Sequence, residues 1–177
     1  MKCPRCKTSD LAPTLIEEYL AAMACSQCSG SLVSLLYYRH WAETQKPDTS
    51  QAAVTSASLP RDTTTALMCP KCDRVMTKYK LVGSVDNRLD VCATCDEAWL
   101  DDGEWELLEQ LQLSHTMPSI FTDAWQRRLR NEKTEETRRS ILKTTIGDVA
   151  AAKVEGFRVW LNEQTRKSAI LTYLYRD

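Results

Sequence analysis

Eight cysteines fall in four C-x-x-C pairs: Cys3/Cys6, Cys25/Cys28, Cys69/Cys72 and Cys92/Cys95. The gap from Cys6 to Cys25 is 18 residues, and that from Cys72 to Cys92 is 19, so the chain carries one pattern twice with a period of about 66 residues. The unit C-x2-C-x18–19-C-x2-C has the spacing of a four-cysteine zinc ribbon. Zinc takes four ligands at the corners of a tetrahedron, and thiolate sulfur suits it. Two intervening residues let one tight turn aim both sulfurs at a single ion, and the longer gap supplies a short β-hairpin that brings the two turns together. Pro4 and Pro70 preset φ for such a turn. Arg5 and Lys71 follow them, where a cation softens the excess charge of four thiolates on one dication. The pattern predicts two zinc ions per chain, held by Cys3, Cys6, Cys25 and Cys28 and by Cys69, Cys72, Cys92 and Cys95.

Other uses of cysteine fit less well. A disulfide framework suits an exported chain, whereas Met1-Lys2-Cys3-Pro4 leads into no apolar signal core. A thioredoxin-like C-x-x-C belongs in a βαβ pattern, which is absent. Iron–sulfur ligands crowd more closely in sequence. Ribbons saturated with cysteine leave no position for a catalytic water, so they predict architecture rather than metal catalysis.

The second repeat reads Cys69-Pro70-Lys71-Cys72, then Cys92-Ala93-Thr94-Cys95, then Trp99-Leu100-Asp101-Asp102-Gly103-Glu104. A C-P-x-C pair, a C-x-x-C pair and a following W-L-D-x-G-E resemble the bacterial zinc-ribbon domain related to the ribbon of transcription factor IIB. The resemblance covers residues 68–110, and residues 1–41 look like a weaker copy, with Leu32 where the second has Trp99. Glu97 stands where the family usually has glycine. The family implies a zinc-stabilised ribbon and, by analogy with its namesake, contact with nucleic acid or transcription proteins.

The expected fold is a small metal-dominated α+β arrangement: two zinc ribbons of short β-hairpins followed by a helical C-terminal region. The expected divisions are a first ribbon at 1–41, a flexible linker at 42–66, a second ribbon with a capping helix at 67–113, and helices over 117–177, as a hairpin or a dimerisation helix. Leu11, Leu15 and Ile16, then Leu20, Met23 and Ala24, supply two strands, and Leu32–Tyr38 a third strand or a short helix. Residues 42–66 are rich in Ser, Thr, Ala and Gln and would let the ribbons move independently. Asp101 and Glu104 have capping-box spacing, with Trp99, Leu100 and Trp105 expected to plug the ribbon's base. A helix near Pro118 would carry the stripe Phe121, Trp125, Leu129, with Glu135/Arg139 pairing on its surface. Thr145 to Asp148 would cap one long helix from Ile146 to about Tyr175. Its stripe runs through Ile146, Val149, Ala150, Phe157, Trp160, Leu161, Leu171 and Tyr175.

Charge divides unevenly. The formal net charge is −1, and two four-thiolate zinc sites would take it to −5. Residues 1–116 hold 11 Lys+Arg against 16 Asp+Glu, while residues 117–177 hold 12 against 8. From Asp86 to Glu109 there are 9 acidic residues and one basic one, Arg88, which reads as a solvated or docking face that repels phosphate. Arg127, Arg130 and Arg138 fall together on a helical wheel as a basic ridge. No nucleophile–base constellation, P-loop, H-E-x-x-H or dinucleotide fingerprint is present. His40 and His115 read as surface or packing residues.

The expectation is a non-enzymatic, cytoplasmic zinc-binding adaptor with no membrane span and no small-molecule substrate. It would bind a protein partner or a second copy through Phe157 and Trp160 of the tail. Two alternatives stand beside it: weak direct nucleic-acid binding through Arg127, Arg130 and Arg138, and thiol-based zinc or redox sensing.

Overall fold

The computed structural model describes residues 1–45 and 62–175. In chain order these form β1 (Leu11–Glu17), β2 (Leu20–Cys25), β3 (Ser31–Ser34), α1 (Leu35–Thr44), β4 (Thr77–Lys80), β5 (Arg88–Cys92), β6 (Glu97–Leu100), α2 (Glu104–Gln110), α3 (Met117–Ile120), α4 (Asp123–Ile146), α5 (Asp148–Asn162) and α6 (Lys167–Leu174). The apolar run after Cys28 is strand and helix in succession, because it first extends the hairpin and then turns at Ser34.

The strands do not stay as separate hairpins. They join one six-stranded antiparallel sheet in the order β1-β2-β3-β6-β5-β4. The seam is β3 against β6, with Ser31 opposite Leu100, Leu32 opposite Trp99, Val33 opposite Ala98 and Ser34 opposite Glu97. The order reads as a palindrome because each repeat contributes three strands in mirror sequence. Residue i of the first repeat corresponds to i+67 in the second, as Cys25 does to Cys92 and Cys28 to Cys95. A local two-fold axis therefore passes between Leu32 and Trp99. Independently moving ribbons are corrected: the seam hydrogen-bonds one repeat to the other. Of the expected linker 42–66, Ala42–Thr44 finish α1 and residues 46–61 lie outside the described part.

The pleat divides side chains between two cores, since successive residues of a strand face opposite ways. On one face Leu11, Leu32, Leu67, Met76 and Trp99 pack with the buried cysteines. On the other, Val33, Leu89, Ala98 and Leu100 receive Tyr38 and Trp41 from α1 and Trp105, Leu107 and Leu108 from α2. The rings of Trp41 and Trp105 meet edge to face at 5.5 Å, and His115 stacks on Trp41 at 4.7 Å, so His115 is a packing residue. Trp99 and Trp105 are 1% and 6% exposed, which assigns both to the core, as expected of residues that plug the ribbon's base.

Two compact units are present, Met1–Leu129 and Arg130–Asp177. The first includes α3 and the start of α4. Phe121 packs on Tyr79 at 5.3 Å, and the Trp125 indole donates to the Leu81 carbonyl at 2.9 Å. Two members of the expected stripe, Phe121 and Trp125, are thus spent on the β4–β5 hairpin. In the second unit the single long helix is corrected. It starts at Asp148, after Gly147 at φ +80, with no side chain capping it, and it is broken after Asn162, where the chain turns before α6. Arg139 reaches Glu155 and Arg158 reaches Glu135, each at 2.8 Å, so α4 and α5 run antiparallel within this unit. Among the described residues, no helix is long and apolar enough to cross a membrane.

Candidate metal centres

Each knuckle is built the same way. The residue after the second cysteine of each pair has positive φ: Lys7 (65°), Ser29 (57°), Asp73 (55°) and Asp96 (57°). That left-handed residue reverses the chain so that its N–H returns to the carbonyl of the first cysteine. The bonds run Lys7 to Cys3 at 2.8 Å, Ser29 to Cys25 at 2.9 Å and Asp73 to Cys69 at 2.9 Å. The turn also aims backbone N–H groups at the first sulfur, as Cys6 N donates to Cys3 Sγ at 3.3 Å. Glycine is the usual solution for such a φ, and this chain uses none in four instances. Glu97, flagged by its departure from the resembled family, is an ordinary strand residue; the left-handed position is Asp96.

The eight predicted ligands converge as two sets of four, with ligand atoms of each set within 4.8 Å of one another. All eight are free thiols, the first and third of each repeat buried and the other two half-buried. Sulfurs from opposite knuckles stand 3.7 Å apart (Cys3–Cys28), 3.9 Å (Cys6–Cys25) and 3.6 Å (Cys72–Cys92). A tetrahedron with zinc–sulfur bonds near 2.3 Å requires sulfur separations of about 3.8 Å. The donor set therefore fits a tetrahedral thiophilic ion.

Electrostatics agree. Burial pushes the Cys3 and Cys69 thiols up, and neighbouring thiols with burial push Cys95 up to about 12. Burial also opposes ionisation of Cys25 and Cys92, yet donors to their sulfurs prevail. The Ser9 hydroxyl and backbone N–H groups of Cys28 and Gln27 bring Cys25 down to about 6; those of Cys95 and Thr94 help bring Cys92 down to about 7. Cys25 and Cys92, the third cysteines of the two repeats, are thus favoured as thiolates, and a bound cation would help ionise Cys3, Cys69 and Cys95. Arg5 and Lys71 spend their charge chiefly on carboxylates. Arg5 reaches Asp101 at 3.3 Å and Lys71 reaches the buried Glu97 at 2.5 Å, with Cys95 and Cys69 adding to the pull on Lys71.

The acidic stretch 86–109 is a solvated face only in part: Asp86, Asp102, Glu106 and Glu109 are exposed. Asp90, Glu97, Asp101 and Glu104 are buried, and each is held by groups distant in sequence. Lys78 donates to Asp90 at 2.6 Å; the Trp99 indole and the Thr63 N–H donate to Asp101 at 3.0 and 2.7 Å; Asn87 donates to Glu104 at 3.3 Å. The expected capping box is half formed. Glu104 accepts from the Asp101 N–H at 2.9 Å, while the Asp101 side chain turns to Trp99, Arg5 and Thr63. At the knuckle of Cys95, Asp96 takes a two-pronged bond from Arg39 at 2.7 and 2.9 Å, tying α1 of the first repeat to the second site.

The tail residues are placed as follows. Arg127 and Arg130 are exposed on α4. Arg138 pairs with Glu135 at 2.8 Å, and Glu135 also takes Arg158, so the expected Glu135/Arg139 pair gives way to Arg139–Glu155. Phe157 and Trp160 lie 5.4 Å apart, ring to ring, and are 39% and 46% exposed.

No family model, curated protein or solved structure matches this chain.

Proposed function

We infer that the chain is a non-enzymatic zinc-dependent adaptor. Two zinc ions stabilise a sheet platform, and the helical unit offers an apolar surface to a protein partner. The observation that carries the zinc reading is the spacing of the opposed sulfurs, 3.6 to 3.9 Å, at the value a tetrahedral zinc thiolate demands. The partner reading is supported by aromatic rings left open in a unit where, among the described residues, only Ala151 and Leu161 of α5 are buried. Exposed apolar groups clustered this way mark interaction surfaces. The resemblance of residues 68–110 to transcription-factor-related ribbons directs the search to transcription and nucleic-acid machinery. Cysteine used as zinc thiolate suits a reducing compartment such as the cytoplasm.

Direct phosphate binding has less support, because Arg138, Arg139 and Arg158 are already salt-bridged. Thiol sensing has one observation in its favour: hydrogen-bond donors to the sulfurs of Cys25 and Cys92 hold those two thiols below the ordinary cysteine range. Elemental analysis of freshly purified protein tests the metal: two zinc per chain are expected, and fewer than about 1.5, or iron instead, overturns it. Affinity capture from the native cell, with and without nuclease, tests the rest. A protein that stays bound after nuclease and is lost in Phe157→Asp/Trp160→Asp supports the adaptor. Capture abolished by nuclease and by Arg127→Glu/Arg130→Glu transfers the assignment to nucleic acid.

A further inference from the structure

Beside the thiolate centres lies a third group of convergent ligands, made only of oxygen. Carboxylate oxygens of Asp62, Asp101 and Glu104 lie within 4.8 Å of one another, Asp101 and Glu104 being buried. Such a cluster by itself marks nothing, since a proton or a cation partner can neutralise it. Unpaired oxygens around it are the second observation. Thr63 is 8% exposed and its Oγ1 has no partner, although its N–H is held on Asp101 Oδ2 at 2.7 Å. Asp90 is 1% exposed and its Oδ1 is also unpartnered, while Asp62 Oδ1 accepts no hydrogen bond and has only the Lys78 ammonium near it, at 4.0 Å. Buried polar atoms are nearly always satisfied, so two orphans, Thr63 Oγ1 and Asp90 Oδ1, beside one carboxylate cluster require an explanation.

Charge points the same way. Four carboxylates, Asp62, Asp90, Asp101 and Glu104, meet three cations: Lys78 at 2.6 Å from Asp90 and 4.0 Å from Asp62, Arg88 at 3.6 Å from Asp62 and Arg5 at 3.3 Å from Asp101. Arg88 and Arg5 are themselves 41% and 34% exposed, so water screens much of their charge. A lone proton would neutralise one carboxylate and leave the orphan oxygens unpaired. A hard divalent cation takes six or more oxygens and would engage them together. The all-oxygen donor set selects against zinc and for a cation of the calcium or manganese kind.

We propose that Asp62, Asp101 and Glu104, with Thr63 and Asp90 at the rim, form a binding site for one hard divalent cation, distinct from both cysteine centres. Asp62 precedes the second repeat and Asp101 follows its last strand, so the ion would clasp the segment entering the repeat to the strand leaving it.

The test uses the zinc-loaded full chain and manganese as probe, read by electron paramagnetic resonance, with zinc measured on the same samples. Expected are one manganese per chain with sub-millimolar affinity, displacement by calcium, and at least about tenfold weaker binding in Asp62→Asn with two zinc retained. Asp102→Asn, at an exposed neighbour outside the cluster, should bind as the parent does. Manganese binding equal in the parent and Asp62→Asn, or weaker than about 1 mM, overturns the proposal. Should Asp62→Asn lose zinc or fold, calcium decides on the unaltered chain: at 100 times its dissociation constant it should raise the melting temperature by roughly 5 °C. No rise overturns the site.

Discussion

Leu32 and Trp99 occupy the same position in the two repeats and stand opposite each other across the β3–β6 seam. The axis relating the repeats passes between them, yet the pair is unequal in size. Room for the indole comes from Gly30, where an added Cβ would lie 2.4 Å from Trp99 Cζ2. The position equivalent to Gly30 is Glu97, whose side chain is buried against Lys71. One half of the seam is therefore glycine under tryptophan, and the other glutamate beside leucine.

Gly30→Ala should destabilise the zinc-loaded protein by about 1–3 kcal/mol, because the indole cannot retreat from a seam packed on both sides. Combining it with Trp99→Leu should recover part of the loss. Thermal unfolding of the single and double variants checks this, and strict additivity would mean that the two residues do not share a contact.

Loss of one ion should be felt in both repeats. Replacing Cys92 with Ser should release a single zinc, and backbone amides of β2, in the other repeat, should lose hydrogen-exchange protection along with those of β5. Protection confined to its old value in β2 would mean that the seam transmits nothing.

Four left-handed residues without glycine store strain. Removing it at Lys7 or Ser29 with glycine recovers roughly 1–2 kcal/mol of left-handed penalty, against about 0.5–1 kcal/mol of added unfolded-state freedom. Lys7→Gly and Ser29→Gly should each raise the unfolding midpoint modestly. Asp96→Gly should not, because it also removes the partner of Arg39. Denaturant titration at saturating zinc ranks the three.

Tyr38 should be the tyrosine whose ionisation is coupled to unfolding. Its hydroxyl donates to the Ser114 carbonyl at 2.6 Å and accepts the Met117 N–H at 3.0 Å, and burial pushes its pKa up to about 12. An acid whose folded value lies above its unfolded value of about 10 holds its proton longer when folded. The chain should thus lose roughly 2–3 kcal/mol between pH 10 and 12, and no such contribution operates below pH 10. Ultraviolet titration should show one tyrosine ionising near pH 12, absent in Tyr38→Phe. That variant should also cost about 1–3 kcal/mol at neutral pH by stranding Ser114 and Met117.

Much of the site was legible in the sequence and much of its setting was not. Ligand identity follows from C-x-x-C spacing, which is local and chemically demanding. The seam does not, because four-residue strands such as Ser31–Ser34 carry no sign of which other strand they will meet. A clue lay in the unequal pair, Leu32 and Trp99, but it needs the register to be read. The acidic stretch was misread in part for a related reason. Counting charge over 86–109 ignores Lys78 and Lys71, which precede it in the chain and face its carboxylates in the fold. The break in the tail helix was not legible: it falls over Glu163–Arg166, where neither glycine nor proline marks a stop and the apolar stripe runs on to Leu171.

A homodimer with this seam would have to find its other half in solution and would fall apart on dilution. Here both halves ride on one chain, so the sheet closes by a first-order step whose yield does not depend on protein concentration. Each half is also released from having to complement itself. A large side chain can be fixed on one side and its absence on the other, and the two metal sites are free to acquire different surroundings within a single molecule.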